Sequence, residues 1–139
     1  MLRMYTDAST KADPGPSGVG LVFISEELHE QLAVPLKEEM SNHEAEFEAV
    51  IAGLNYLIEQ QLTSHDLLLF SDSKIVVTAV ERNYVKNQKF RQYLLTINQL
   101  LQHFPSFSMQ WIPEAQNKEA DHFARQALQL RLKTKRSSS

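Results

Sequence analysis

The sequence predicts an α/β fold: a five-stranded mixed sheet in the element order βββαβααβα, with helices on both faces. Three observations carry this expectation. Short apolar runs alternate with turn residues through the first third of the chain, the pattern of antiparallel strands joined by hairpins. A capped helix with one apolar stripe opens at Ser41. The unbroken apolar run from Leu67 to Phe70 then reads as a strand buried on both faces.

Leu2 to Ala8 is the first strand, and the proline- and glycine-rich stretch from Lys11 to Gly18 turns the chain. Val19 to Ile24 and Leu28 to Val34 complete a meander. Ser41 and Glu44 form a capping box, in which each side chain reaches a free backbone amide of the other residue. Phe47, Val50, Ile51, Leu54 and Ile58 follow at helical spacing. The strand from Leu67 to Phe70 is bounded by His65-Asp66 and by Ser71-Asp72-Ser73, after which Lys74 to Arg82 and Phe90 to His103 read as helices. Phe107 to Ile112 is the fifth strand, ended by Pro113, and Lys118 to Leu132 is the last helix with Asn117 placed to cap it. The first, fourth and fifth strands can run parallel through right-handed crossovers.

A chain of 139 residues with 42% hydrophobic side chains builds one core and is too short for two ordinary domains. Residues 1–132 read as that domain, and 133–139 as a flexible basic, serine-ended tail. The absence of cysteine excludes a disulfide framework, a thiolate zinc site and a cysteine nucleophile. No apolar stretch approaches the roughly 20 residues of a membrane span, and MLRMYTDAS lacks the apolar core of a secretory leader. The expectation is a soluble, cytoplasmic protein with no membrane partner and no obligate protein partner. Net charge is -3, but without Arg131, Lys133, Lys135 and Arg136 ten basic side chains face seventeen acidic ones. Glu26 to Glu48 holds much of the negative charge. Lys74, Arg82, Lys86, Lys89 and Arg91 gather after the fourth strand, where a polyanion would be met.

Asp7 lies near the end of the first strand and Asp72 at the end of the fourth. If these strands are parallel neighbours, both carboxylates face the crevice where an open α/β sheet places its ligand. Glu46 lies one turn into the capped helix and Asp121 in the first turn of the last one. Oxygen-only side chains converging from four elements are the donor set of a hard cation such as Mg²⁺ or Mn²⁺. Singly, each has an ordinary explanation. Asp72 serves as a helix cap, Asp121 complements a helix dipole, Asp7 is a strand-end turn residue, and Glu46 shares a solvated face with Glu44 and Glu48.

In order and together they carry a resemblance. The segments YTDASTKADPGPSGVG, SNHEAEFEAVIAGL, LLLFSDSKIVV and IPEAQNKEADHFARQAL resemble the recurring pieces of type 1 ribonuclease H, from Leu2 to about Leu130. The resemblance implies a ribonuclease H-like fold and endonucleolytic hydrolysis of the RNA strand of an RNA/DNA hybrid. Products would carry 5′-phosphate and 3′-hydroxyl ends. Asp7, Glu46, Asp72 and Asp121 are implied as the catalytic carboxylates that bind two Mg²⁺ ions, with Mn²⁺ as the alternative. Implied substrate contacts are Ser41 at a DNA-strand phosphate, Asn42 in the family's asparagine-bearing loop, Lys74 at the minor groove, and Asn117. Ser41 and Asn117 also read as helix caps, and Lys74 as a residue of a solvated face.

The chain departs from the family at several points. The stretch from Trp111 to Asp121 is short and holds no histidine, and the basic helical protrusion of some members is absent. His122 is expected to turn away from Asp121, and His43 to be merely exposed. Asp13 stands where the family commonly has asparagine near the RNA backbone, so its charge is expected to repel phosphate. Ala8 and Ala12 replace glycines. These departures motivate an alternative reading, a nucleic-acid-binding module of the same fold with little or no turnover. A DNA-directed nuclease or transposase-like enzyme fits less well, because such enzymes usually need further domains. Retention of four clustered carboxylates favours the hybrid endonuclease, since a pure binder gains nothing from negative charge facing phosphate.

Overall fold

Small and large residues alternate from Gly18 to Phe23, and that alternation sets the layers of the molecule. The computed structural model describes residues 1–137, with side chains through Thr134. Strand β2 (Ser17–Ile24) lies between helix α1 (Asn42–Glu59) and helix α4 (Lys118–Ser137). Val19, Leu21 and Phe23 join the core cluster with Phe47, Val50, Leu54 and Leu57 of α1. Gly18 and Gly20 point the other way. A Cβ on Gly20 would stand 1.9 Å from the Ala120 carbonyl oxygen, and one on Gly18 would stand 2.2 Å from the Leu128 nitrogen. The α4 backbone therefore rests directly on the sheet, with Ala120, Ala124 and Ala127 buried along the contact.

The remaining strands are β1 (Leu2–Thr10), β3 (His29–Pro35), β4 (Leu67–Ser71) and β5 (Phe107–Trp111), in the sheet order β3-β2-β1-β4-β5. β1 is antiparallel to β2 and parallel to β4, and β4 is parallel to β5. Helices α1, α2 (Lys74–Arg82) and α3 (Gln88–Leu101) supply the main core on one face. Helix α4 covers β1, β2 and β3 on the other.

Several element details differ from the sequence expectation. Because α4 does not extend over β4, Leu68 and Phe70 are only half-buried, so β4 is buried on one face rather than two. The buried stripe of α1 runs through Phe47, Val50, Leu54 and Leu57, leaving Ile51 and Ile58 half-buried. Helix α4 continues past Leu132 to Ser137, so the basic stretch from 133 is helical that far, and residues 138–139 lie outside the described residues. Among the described residues no helix is long and apolar enough to cross a membrane.

Two features position the site. The parallel pairing of β1 with β4 ends at Thr6 opposite Ser71, so Asp7 and Asp72 are the first residues beyond it. β1 then continues to Thr10 paired only with β2, which opens a crevice between the two carboxylate-bearing strand ends. The turn after β1 is tied to the segment before α1, because Gly15 and Met40 exchange backbone hydrogen bonds of 2.9 and 3.1 Å.

Candidate active site

Asp7, Glu46, Asp72 and Asp121 line one cleft of about 180 Å³, together with Ala8, Asn42, Glu114 and Arg125. Asp7 is the most deeply placed, with 9% of its surface exposed, and its Oδ1 accepts the Ala8 backbone N–H at 2.9 Å. Burial, followed by the charge of Asp72, holds its carboxyl well above the ordinary carboxylate range. The Ala8 bond opposes that rise, and Asp121 adds to it.

Asp72 does not cap α2. Ser73 takes that place, its Oγ accepting the Val76 N–H at 3.4 Å, which leaves the neighbouring carboxylate free for the cleft. Burial raises Asp72 as well. A hydrogen bond from Asn117 works against the rise, while Glu46, Glu114 and Asp121 push in the same direction as burial.

Asn117 precedes α4, but its side chain is not the expected cap. Its Nδ2 donates to the Thr6 carbonyl at 2.9 Å and to Asp72 Oδ2 at 3.3 Å. At 2% exposure Asn117 is buried against Asp72 and is not among the residues lining the cleft. Its buried Oδ1 has no partner among the described residues. The amide keeps this orientation because turning it over would set oxygen against two acceptors.

Glu46 projects from the first turns of α1, where Asn42 Nδ2 donates to Oε1 and His43 Nδ1 meets Oε2, both at 3.3 Å. The capping box is formed as expected, with Glu44 N–H donating to Ser41 Oγ at 3.1 Å and Ser41 N–H to Glu44 Oε1 at 3.2 Å. Ser41 therefore acts as a cap, and the residue is partly exposed immediately before Asn42, which lines the cleft. Lys74 is exposed at the start of α2, with Nζ 4.9 Å from the centre of the Trp111 ring. Asp121 sits one turn before Arg125, whose Nε lies 3.2 and 3.1 Å from its two carboxylate oxygens.

Asp13 behaves differently from the expectation. Its Oδ1 accepts the Asn42 backbone N–H at 3.0 Å, so the carboxylate is held at the start of α1 instead of standing free against a phosphate. His122 packs edge-on against Phe123 and takes no part in the cleft, as expected. His43, expected to be merely exposed, reaches Glu46.

Glu114 and Arg125 also went unread in the sequence. The i, i+4 spacing of Asp121 and Arg125 on a helix was the available signal for the arginine. Glu114 lies in a 3-10 turn, Glu114–Gln116, and only the fold of that link brings it to the cleft.

The donor set is all oxygen and carries an excess of negative charge. Among the described residues lining the cleft, Arg125 is the only cation facing five carboxylates. Such a set fits a hard divalent cation. Among the described residues no three acidic or histidine side chains already close around one point.

The family described as reverse transcriptase-like matches residues 5–127. The protein EbsB of Enterococcus faecalis is 50% identical over 129 residues, which cover 93% of this chain and 95% of that protein. The ribonuclease H of Trichodesmium erythraeum is 33% identical over 85 residues, covering 61% of this chain and 51% of the enzyme's length. The crystal structure of LC11-RNase H1 in complex with an RNA/DNA hybrid superposes with a TM-score of 0.86 at 25% identity, over 95% of this chain and 99% of that one. With its sheet order and carboxylate-bearing strand ends already in place, the chain belongs to the reverse transcriptase-like family and is a protein of ribonuclease HI type.

Proposed function

We propose that this chain hydrolyses the RNA strand of RNA/DNA hybrids by in-line displacement, leaving 5′-phosphate and 3′-hydroxyl ends. The observation that carries the reading is the meeting of Asp7, Glu46, Asp72 and Asp121 in one cleft beyond the end of the β1–β4 pairing. These four would hold two Mg²⁺ ions, or Mn²⁺ in their place. Held there, such cations would supply neutralisation of the scissile phosphate and activation of the attacking water.

The rest is done by the chain. Ala8 N–H orients Asp7, Asn117 holds Asp72 from below, and Asn42 and His43 orient Glu46 from within the same helix. Arg125 anchors Asp121 through Nε. A requirement for RNA in one strand means contact with 2′-hydroxyls. Asn42, Ser41 and Lys74 are the exposed or partly exposed polar groups on the two helix starts beside the cleft that would make substrate contacts.

The test is incubation of the protein with labelled RNA/DNA hybrid, double-stranded RNA and double-stranded DNA, each with Mg²⁺, Mn²⁺ or chelator. Cleavage confined to the RNA of the hybrid and abolished by chelator is the expected result. Asp72→Asn should retain the fold and lose cleavage, because the amide keeps the shape and removes the charge that holds the cations. Tight hybrid binding without turnover in any metal would favour the binding-module reading.

A further inference from the structure

We propose that Trp111 is a positioning residue of this cleft, its indole fixing the backbone of Asp72 and holding Lys74 at the substrate edge. The inference rests on the hydrolytic reading above. Trp111 is the last residue of β5 and is 40% exposed. Its Nε1–H donates to the Asp72 carbonyl oxygen at 3.0 Å. The next amide, that of Ile112, donates to the Ser71 carbonyl at 2.9 Å. Two consecutive carbonyls at the end of β4 are therefore held by the end of β5, one through backbone and one through the indole.

That second bond falls where the sheet no longer helps. β4 pairs with β5 only as far as Ser71 opposite Trp111, and α2 begins at Lys74. On its N–H side the Asp72–Ser73 peptide is tied by Ser73 N–H donating to Ser71 Oγ at 3.0 Å, and the indole is what ties its carbonyl side. With the indole on its carbonyl and Asn117 on its Oδ2, Asp72 is held at both ends. Preorganised carboxylates need less rearrangement when a cation arrives.

The same ring carries Lys74, whose ammonium stands 4.9 Å from the ring centre. An exposed cation–π contact is weak enough to be exchanged for a phosphate, yet it narrows the arrangements open to a long flexible side chain. The lysine is thereby held over the ring that bonds the cleft residue Asp72, before a polyanion arrives.

The test uses the chain's single tryptophan. Trp111→Phe keeps a ring for Lys74 and removes the N–H, so kcat should fall about five-fold, the scale of one lost hydrogen bond, with KM within about two-fold. Lys74→Met keeps the aliphatic stem and removes the charge. It should raise KM about four-fold and lower the slope of log Kd against log salt by about one phosphate contact. In chelator, adding intact hybrid to the wild type should change tryptophan emission as Lys74 leaves the ring, and Lys74→Met should abolish that change.

Wild-type kcat in Trp111→Phe overturns the proposal, as does a loss of activity that merely follows a lowered Tm with kcat and KM moving together. If the wild type cleaves no hybrid, the hydrolytic reading fails by itself, and calorimetric Mg²⁺ affinity then decides the role of Trp111. About five-fold weaker Mg²⁺ binding in Trp111→Phe supports it, and equal affinity overturns it.

Discussion

The carboxylate of Asp13 accepts the Asn42 N–H at the first turn of α1, and this one bond divides the consequences of changing the residue. A negative charge at a helix N-terminus stabilises the helix by about 0.5 kcal/mol. Asn42 lines the cleft, so under the proposed function the same charge, one hydrogen bond away, opposes the approach of a polyanion. Asparagine in its place keeps an oxygen acceptor for Asn42 and removes the charge. Asp13→Asn is therefore expected to tighten hybrid binding about three- to five-fold at low salt, with the gain shrinking as ionic strength rises, while Tm falls by a degree or two. Fluorescence anisotropy with labelled hybrid in chelator over a salt series checks the first effect, and thermal melting checks the second. Equal Kd values for both proteins at every salt concentration would show that Asp13 lies outside the reach of the substrate. The neighbouring Ala12 has φ 62°, in the left-handed region where a side chain costs roughly 1 kcal/mol, so the glycine-to-alanine departure noted in the sequence falls at a strained position of this turn.

At the scale of elements, the seat of α4 on β2 is the contact least tolerant of change. Gly20→Ala would place a methyl 1.9 Å from the Ala120 carbonyl, an atom of helix backbone that cannot swing aside. The expected cost is about 3 kcal/mol, a drop in Tm of roughly 10 °C, and displacement of α4 would carry Asp121 and Asn117 with it. Melting and cleavage should consequently fail together. A second tie joins α1 to β3, where the Tyr56 hydroxyl donates to Glu30 Oε1 at 2.6 Å. That bond, with burial and the Glu30 charge behind it, pushes Tyr56 up to about 12. A raised pKa means the folded state holds the proton more tightly, so the stabilisation is whole below pH 10 and disappears as pH climbs through 12. Urea unfolding of wild type and Tyr56→Phe should differ at pH 7 to 9, draw together from pH 10 upward and converge only near pH 12. Local chemistry made much of this level legible. The capping box at Ser41 and the limits of α2 at Lys74 and Arg82 stand as read, because caps and periodicity act within a few residues. The double burial of β4 was not legible, since it depends on how far α4 reaches across the sheet, and that is fixed by the small residues of β2.

At the scale of the whole molecule, β1 and β4 are parallel neighbours, the condition on which the sequence reading brought Asp7 and Asp72 to one crevice. Their surroundings could not be placed that way. Asn117 beneath Asp72, Glu114 at the rim and Trp111 on the Asp72 carbonyl all depend on how the short link from β5 to α4 folds back across the strand ends. The assembled cleft holds five carboxylates against one arginine, and burial with mutual repulsion raises both Asp7 and Asp72. A cation that binds only the folded chain stabilises it by mass action, about 2.7 kcal/mol at a hundred times Kd, which here corresponds to a Tm rise of roughly 10 °C. Mg²⁺ should therefore raise Tm well beyond NaCl of equal ionic strength. Asp7→Asn should move the two quantities in opposite directions. Asparagine neither buries a charge nor has to take up a proton on folding, so the substitution raises Tm in chelator at pH 7, while losing a ligand shrinks the increment that Mg²⁺ adds. Differential scanning calorimetry of both proteins, with chelator and with a Mg²⁺ series, reads both terms. If Mg²⁺ gave the wild type no more than the salt control, or if Asp7→Asn melted lower in chelator and kept the full Mg²⁺ increment, the clustered acids would not be a cation site.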